Sequence, residues 1–181
     1  MMLSGNRPDW MPLAMDGVAM LSLKSFGDDR GRFLEVFRKE WIPGAFIGPL
    51  QVNCSTSSRG VLRGLHYHRH QTDIWVPVGG RLRAGLADAR RESPTFGHGM
   101  TLDLDAQDPA ALSALLIPPG VAHGFAALTD ITLIYVVDRY YDVDDELGIA
   151  WDDPVLGLDW GLTEPVLSGR DRQNLPFDWR L

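Results

Sequence analysis

The chain has 181 residues, 45% of them hydrophobic and 23% charged, which suits one globular domain with a sizeable core. Its formal net charge of -7 disfavours nucleic acid or an anionic membrane as the principal partner. Cys54 is the single cysteine, no apolar run reaches membrane-spanning length, and no signal peptide is recognisable. We therefore expect a cytoplasmic protein without a disulfide and without a membrane partner.

The first third of the chain predicts short strands separated by turns. Residues 1–20 are expected to form an irregular arm, and Asp28–Gly31 is a turn sequence that precedes a strand at Arg32–Phe37. Lys39–Pro49 is predicted as a loop or a single helical turn. Leu50–Thr56 alternates in part between apolar and polar residues, as a half-buried strand does. No long helix is expected here.

The middle of the chain continues this pattern of strands. Trp75–Ala87 predicts a hairpin that turns at Gly79–Gly80, because glycine accepts the positive φ of a tight turn. Pro77 has no amide donor, so its strand should lie at a sheet edge or carry a bulge. Leu112–Ile117 and Ile131–Val137 are further β-rich runs.

The tail from 151 to 181 is rich in Asp, Pro and Gly, and we expect it to wrap the strands as a loop with one short helix. Regularly spaced short strands with Gly/Pro turns predict an antiparallel sandwich or barrel. No internal repeat or linker is visible. The sequence therefore predicts a single domain over 1–181.

Four of the five histidines lie in two short segments, Gly60–His70 and Pro118–Phe125. Imidazole titrates near neutral pH and binds transition metals when it is uncharged. Histidines concentrated in this way predict a site for proton transfer or for a metal ion. The four histidines are His66, His68, His70 and His123.

One interpretation of these histidines is a metal site. His66 and His68 are two residues apart, so both imidazoles would face the same side of a strand. Together with Asp73 and His123 they fit the spacing of a metal-binding cupin, although that family usually has Glu where this chain has Asp73. Such a set would suit a divalent transition metal with open coordination positions.

A second interpretation comes from motifs along most of the chain. They resemble, in order, the dTDP-4-dehydrorhamnose 3,5-epimerase family. That resemblance implies an all-β cupin fold, a double-stranded β-helix jelly-roll barrel with short helical segments near the C-terminus. It also implies a homodimeric isomerase without metal or cofactor, which epimerises a dTDP-linked 4-keto-6-deoxyhexose in deoxysugar biosynthesis. The matching blocks are Phe26–Glu35, Gln51–Asn53, Val61–His66, Ser93–Gly97, Pro119–Phe125, Tyr135 with Tyr140–Tyr141, Glu146–Ile149, Trp151–Pro154, Asp159–Trp160 and Leu167–Asp171.

The resemblance also implies roles for individual residues. His66 matches the general base, Tyr135 the general acid, and Asp171 the carboxylate that pairs with the base. Arg63 matches a contact to the nucleotide phosphates and substrate, and His123 lines the same pocket. The remaining matched binding positions, some of which reach a neighbouring subunit in the family, are Arg30, Phe33, Glu35, Gln51, Asn53, Glu146 and Arg170.

Elementary chemistry is consistent with these roles. In a 4-keto sugar the hydrogens at C3 and C5 are both next to the carbonyl, so a base can remove either to give an enolate. Epimerisation then needs a proton from the opposite ring face, which a phenol can supply. Tyr135 shares one face of its strand with Leu133 and Val137. By residue type alone, a core position is favoured for Tyr135, and Asp171 would equally suit a surface carboxylate or helix cap.

Two further features affect the predicted site. Arg63 and His66 have opposite parity on a regular strand, and Gly64 could permit a bulge that turns both into the pocket. After the base, the family has a longer loop and then a lysine that helps to stabilise the enolate oxygen. This chain has a shorter loop, with Asp73 in place of that lysine.

The loss of an oxyanion donor costs about 100- to 1000-fold in rate, and an ionised Asp73 would repel an enolate. Several hypotheses stay open. Another cation, Arg69 or His70, could take over; the chain could be a nucleotide-sugar-binding homologue with lost or altered chemistry; or it could be the metal-dependent cupin described above. In the simplest alternative, Asp73 points away from the site.

Overall fold

A computed structural model of the chain describes residues 9–41 and 48–180. Residues 1–8 of the predicted arm and 42–47 of the predicted Lys39–Pro49 loop lie outside the described residues. Single 3-10 turns occupy Lys39–Trp41, Val143–Asp145 and Asp171–Gln173, and no helix in the described ranges is long and apolar enough to cross a membrane. The strands are β1 (Met11–Pro12), β2 (Ala19–Ser22), β3 (Ser25–Asp28), β4 (Gly31–Leu34), β5 (Gln51–Ser57), β6 (Leu62–Tyr67), β7 (Asp73–Gly79), β8 (Arg81–Asp88), β9 (Gly99–Asp105), β10 (Ser113–Ile117), β11 (Val121–Ala127), β12 (Ile131–Val137) and β13 (Leu147–Gly148).

The strands form two antiparallel sheets. One has the order β1-β2-β10-β7-β12-β5 and the other the order β13-β6-β11-β8-β9, while β3 and β4 form a separate hairpin. The two sheets pack face to face as in a jelly roll. The all-β fold class predicted from the sequence is confirmed.

The main core lies between the two sheets. Alternate residues of facing strands point inward there, for example Leu82 and Leu86 on β8 against Leu115 on β10 and Leu133 on β12. All four are at most 1% exposed. Burial of one such side chain contributes about 1.5–3 kcal/mol, so this layer fixes the spacing of the two sheets.

The tail packs on the outer face of the five-stranded sheet. Trp160 lies against Gly85 of β8, where a Cβ atom would come within 2.3 Å of the indole ring. The indole Nε1 donates to the carbonyl of Trp151 at 2.8 Å. The absence of a side chain at Gly85 therefore allows the tail to pack close to the sheet. Further along the tail, the 3-10 turn at Asp171 contacts β6.

The hairpin predicted at Gly79–Gly80 is wrong. β7 pairs with β10 and β12, whereas β8 pairs with β9 and β11, so the chain crosses here from one sheet to the other. Gly80 does have a positive φ of 76°, and a Cβ there would lie 2.0 Å from the Asp130 carbonyl oxygen. The turn conformation was predictable from the glycines, but the strand partners were not.

Two other expectations concern Pro77 and the N-terminal arm. The register of β7 on β12 shifts between Thr132 and Leu133, opposite Pro77, so the bulge alternative for Pro77 is confirmed. Within residues 9–20 the structure is more regular than an irregular arm, because β1 and the first residues of β2 already pair at the edge of the six-stranded sheet.

Candidate active site

A cavity of about 380 Å³ opens between the two sheets and receives side chains from both. β5, β7 and β12 supply one wall, β6 and β11 the other, and the segment after β12 supplies the rim. The lining residues are Gln51, Asn53, Ser55, Arg63, His66, His68, Gln71, Asp73, Trp75, His123, Gly124, Phe125, Leu133, Tyr135, Val137, Tyr141, Asp142 and Glu146.

His66, on β6, forms a close pair with Asp171 from the tail. The His66 Nε2 atom lies 2.6 Å from Asp171 Oδ1, and Asp171 is only 3% exposed. Burial opposes ionisation of this carboxyl, but hydrogen bonds from His66, Ser168 and the Gly64 backbone outweigh it and hold the pKa of Asp171 below its usual value. An ionised carboxylate accepts a hydrogen bond from the Nε2–H group, so Nδ1 is the His66 nitrogen that remains to take up a proton.

Tyr135 lies on β12, in the opposite sheet from His66. It is half-buried, and β12 places it between Asn53 of β5 and Trp75 of β7. Burial and, next, the negative charge of Asp73 raise the pKa of Tyr135 above its usual value. The phenol therefore holds its proton at neutral pH, as a general acid must.

A bulge, which the sequence allowed for at Gly64, turns Arg63 and His66 into the same cavity. On β11, Phe125 pairs with Arg63 and His123 with His66. The three-residue advance from Arg63 to His66 on β6 therefore lies opposite a two-residue advance on β11, which is a bulge. Gly64 makes this possible, since its φ is +123° and a Cβ would lie 2.6 Å from the Cα of Gly124. The Arg63 Nε donates to the hydroxyl of Ser57 at 3.0 Å.

Asp73 points into the cavity, so the hypothesis that it faces away is wrong. It is 3% exposed, and burial raises its pKa to about 6. Its carboxylate, His68 and His123 form one group whose ligand atoms all lie within 4.8 Å of one another. His66 is outside this group because its Nε2 is directed at Asp171, so the predicted four-residue metal set is not formed as a unit.

Three of the predicted nucleotide-binding positions also line the cavity. Gln51 donates from Nε2 to Asn53 Oδ1 at 3.0 Å and accepts the Tyr141 amide at 3.2 Å. Glu146 is paired with Arg170 at 2.5 Å. Burial works against ionisation of Glu146, but that ion pair holds its pKa below the usual value. Arg170 is thus a partner of a cavity residue and does not itself line the wall.

Three other predicted positions lie away from this cavity. Arg30 and Phe33 belong to the β3–β4 hairpin, and Glu35 follows it. The Arg30 side chain is 89% exposed and is paired with Asp28, Phe33 is 68% exposed, and Glu35 is paired with Arg38. Within one chain the hairpin therefore contributes nothing to the cavity wall.

Trp75 is a cavity residue that was not among the predicted site residues. It is two positions after Asp73 on β7, so strand alternation places both on the same face. Its ring meets His123 edge-on, with 5.3 Å between the ring centroids. Strand parity, the rule that placed Tyr135, would also have identified Trp75.

A family model described as dTDP-4-dehydrorhamnose 3,5-epimerase matches residues 12–178 of this chain. The chain belongs to the dTDP-4-dehydrorhamnose 3,5-epimerase family. Its predicted membership is therefore confirmed, and with it the assignment to a family of isomerases.

Individual members of the dTDP-4-dehydrorhamnose 3,5-epimerase family agree with this assignment. The epimerase of Neisseria gonorrhoeae is 38% identical over 90% of this chain, although the chain spans only 51% of that relative's length. The epimerase of Pseudomonas aeruginosa is 37% identical, with 91% of this chain and 93% of the relative covered. Among solved structures, ChmJ, a 3'-monoepimerase from Streptomyces bikiniensis in complex with dTDP-quinovose, superposes with a TM-score of 0.82. It is 35% identical, and the match covers 91% of this chain and 86% of ChmJ.

Proposed function

We propose that this protein epimerises a dTDP-linked 4-keto-6-deoxyhexose at C3, at C5 or at both, in deoxysugar biosynthesis. The observation that carries the proposal is the opposition of two proton-transfer groups across one cavity. His66, with Asp171 of the tail beside it, lies on the five-stranded sheet, and Tyr135 lies on the six-stranded sheet.

In the proposed reaction the His66 Nδ1 removes a proton from the carbon next to the ketone. The electron pair moves to the carbonyl oxygen, and an enolate forms. Asp171 stabilises the resulting imidazolium and keeps the ring oriented. Tyr135 then donates its proton to the same carbon from the other face, which inverts the configuration.

Nucleotide binding is assigned to polar residues at the cavity wall and rim. Arg63 offers a guanidinium fixed by Ser57 and by the Thr56 carbonyl, suited to a phosphate oxygen. Gln51 and Asn53 form an amide pair that can present donors and acceptors to a base or sugar.

The direct test is solvent exchange. Wild-type protein is incubated with dTDP-4-keto-6-deoxyglucose in deuterated buffer, and C3 and C5 are followed by proton NMR. We expect deuterium at one or both carbons, and none with His66→Asn. His70→Asn is the matched control, because His70 is exposed and outside the cavity, and it should behave as wild type.

Two results would contradict the proposal. One is the absence of exchange in the wild type when calorimetry shows that dTDP binds, which would favour a binding protein with lost chemistry. The other is unchanged exchange in His66→Asn.

We also propose a cytoplasmic homodimer in which the β3–β4 hairpin reaches a second copy. Phe26 and Phe33 pair across the hairpin and are 62% and 68% exposed, which is unusual for two adjacent aromatic rings. Light scattering should give twice the chain mass of 20.1 kDa. Full exchange activity from a species of single-chain mass would contradict this part of the proposal.

A further inference from the structure

Three potential metal ligands converge on the cavity wall beside the proposed catalytic pair. His68 follows the end of β6, Asp73 begins β7, and His123 lies in β11, so three separate chain segments bring them together. Their ligand atoms lie within 4.8 Å of one another, and all three residues line the cavity. This convergence is a tertiary feature and not an effect of neighbouring sequence positions.

Both imidazoles in this group have the tautomer that metal binding needs. The His68 Nδ1 is 2.8 Å from the Asp145 carbonyl oxygen, and the His123 Nδ1 is 2.9 Å from the Val121 carbonyl oxygen. A carbonyl only accepts, so each Nδ1 carries a proton, and Nε2 is the nitrogen that is left to offer a lone pair to a metal ion. Metal-binding histidines characteristically donate their other nitrogen to a backbone carbonyl or carboxylate in this way.

Asp73 completes the group with an oxygen ligand. One carboxylate oxygen, Oδ2, accepts a hydrogen bond from the Gln71 amide at 3.0 Å. Within residues 9–41 and 48–180 no lysine or arginine forms a salt bridge with this 3% exposed carboxylate. A buried carboxylate without a lysine or arginine partner is a group that a bound cation can neutralise.

We propose that His68 Nε2, the Asp73 carboxylate and His123 Nε2 bind one divalent transition metal ion inside the cavity. Two imidazoles and one carboxylate form a ligand set that leaves coordination positions open for substrate oxygen. The site departs from the metal-free chemistry that family resemblance implies, and it uses the residue that stands where the family has lysine.

The role of the metal, unlike its binding, rests on the proposed function. His123 pairs in register with His66, and Tyr135 pairs with Trp75, two positions from Asp73. The ligand group therefore lies beside both the proposed base and the proposed acid. As a Lewis acid it would draw electron density from the ketone oxygen while His66 takes the carbon-bound proton, with no change in oxidation state.

Cobalt binding tests the site without reference to catalysis. Protein without a polyhistidine tag is titrated with Co²⁺, followed by the visible absorption of the ion and by elemental analysis after gel filtration. We expect one Co²⁺ per chain. Even the loss of an outer-shell partner costs about 10- to 100-fold in metal affinity, so His68→Ala and Asp73→Asn should each weaken binding by at least about 100-fold.

His70→Ala is the matched control, since it removes an exposed imidazole two residues from His68. It should bind cobalt as wild type does. Unchanged dTDP affinity in Asp73→Asn, which preserves side-chain shape, would show that this variant is folded. No stoichiometric cobalt in the wild type, or equal binding by wild type, His68→Ala and Asp73→Asn, would overturn the site.

The two proposals fail in different ways. His66→Asn should bind cobalt as wild type does, because His66 is outside the ligand group. It should lose deuterium exchange at the sugar, because His66 is the proposed base. Exchange without any metal binding overturns the metal site alone, whereas metal binding without exchange overturns the epimerase. If removal of bound metal by a chelator leaves the exchange rate unchanged, the Lewis-acid role is overturned.

Discussion

Replacement of Asp171 by asparagine tests the contribution of the His66–Asp171 pair while leaving the shape of the cavity unchanged. Asp171 is buried and lies 2.6 Å from His66 Nε2, so proton abstraction places a new imidazolium directly beside its negative charge. At about 4 Å between charge centres and an effective dielectric of about 20, that attraction amounts to about 4 kcal/mol. The substitution Asp171→Asn keeps the side-chain volume and removes this attraction.

A loss of about 4 kcal/mol from the transition state slows the reaction by about 1000-fold. We therefore expect Asp171→Asn to reduce deuterium uptake into the sugar by about that factor, measured by NMR under single-turnover conditions. The dTDP affinity should stay within about threefold of wild type, as the nucleotide is assigned to other residues. Asp178→Asn, at an exposed carboxylate of the same tail paired with Arg180, is the control. A rate within tenfold of wild type for Asp171→Asn would refute the assignment of Asp171 as the partner of the base.

Three other predictions follow from the geometry. Gly64→Ala should destabilise the fold by more than about 2 kcal/mol in urea unfolding, because its Cβ would lie 2.6 Å from the Gly124 backbone at a φ of +123°. Arg63→Ala should raise the dTDP dissociation constant about 10- to 100-fold by calorimetry, the range expected for lost charge-assisted hydrogen bonds. Burial opposes ionisation of Asp88, but hydrogen bonds led by that from Arg90 outweigh it and lower the pKa of Asp88 to about 2. Its contribution of about 2 kcal/mol is present above pH 4 or so and is lost as the pH falls through about 2, so urea unfolding of wild type and Asp88→Asn should converge in stability over that interval.

Each of these has a control or a contradicting result. Gly60→Ala also has a positive φ but open space around the new Cβ, so it should cost only about 1 kcal/mol. Equal costs for Gly60→Ala and Gly64→Ala would show that the close contact is not the cause. Arg59→Ala, at an exposed arginine outside the cavity, should leave dTDP affinity unchanged. If the stability difference between wild type and Asp88→Asn does not change with pH, the ionised Asp88 is not stabilising.

The sequence was informative wherever a local rule decides the geometry. Strand alternation placed Tyr135 on one face, and the opposite parity of Arg63 and His66 pointed to Gly64 as a place where a bulge could form. The series of motifs along the chain was enough to identify the family. In each case the information lies within a few residues or in a recognisable block.

Other features depend on packing between distant segments, which single-sequence patterns do not encode. A glycine pair predicts a turn, but Gly79–Gly80 joins two sheets because Trp75 and its neighbours pair with β10 and β12. The direction of Asp73 depends on how the shortened loop closes against β11. The grouping of Asp73 with His68 and His123, without His66, appears only once Asp171 occupies the His66 Nε2.

The central claim is that His66 and Tyr135 exchange protons with one carbon from opposite faces of the sugar. Analysis of the products of Tyr135→Phe in deuterated buffer tests this most directly, with the position and configuration of each deuterium determined by NMR. The account predicts that deuterium still enters, delivered by His66, but with retained configuration and almost no inverted sugar. Formation of inverted sugar at the wild-type rate by Tyr135→Phe would contradict it.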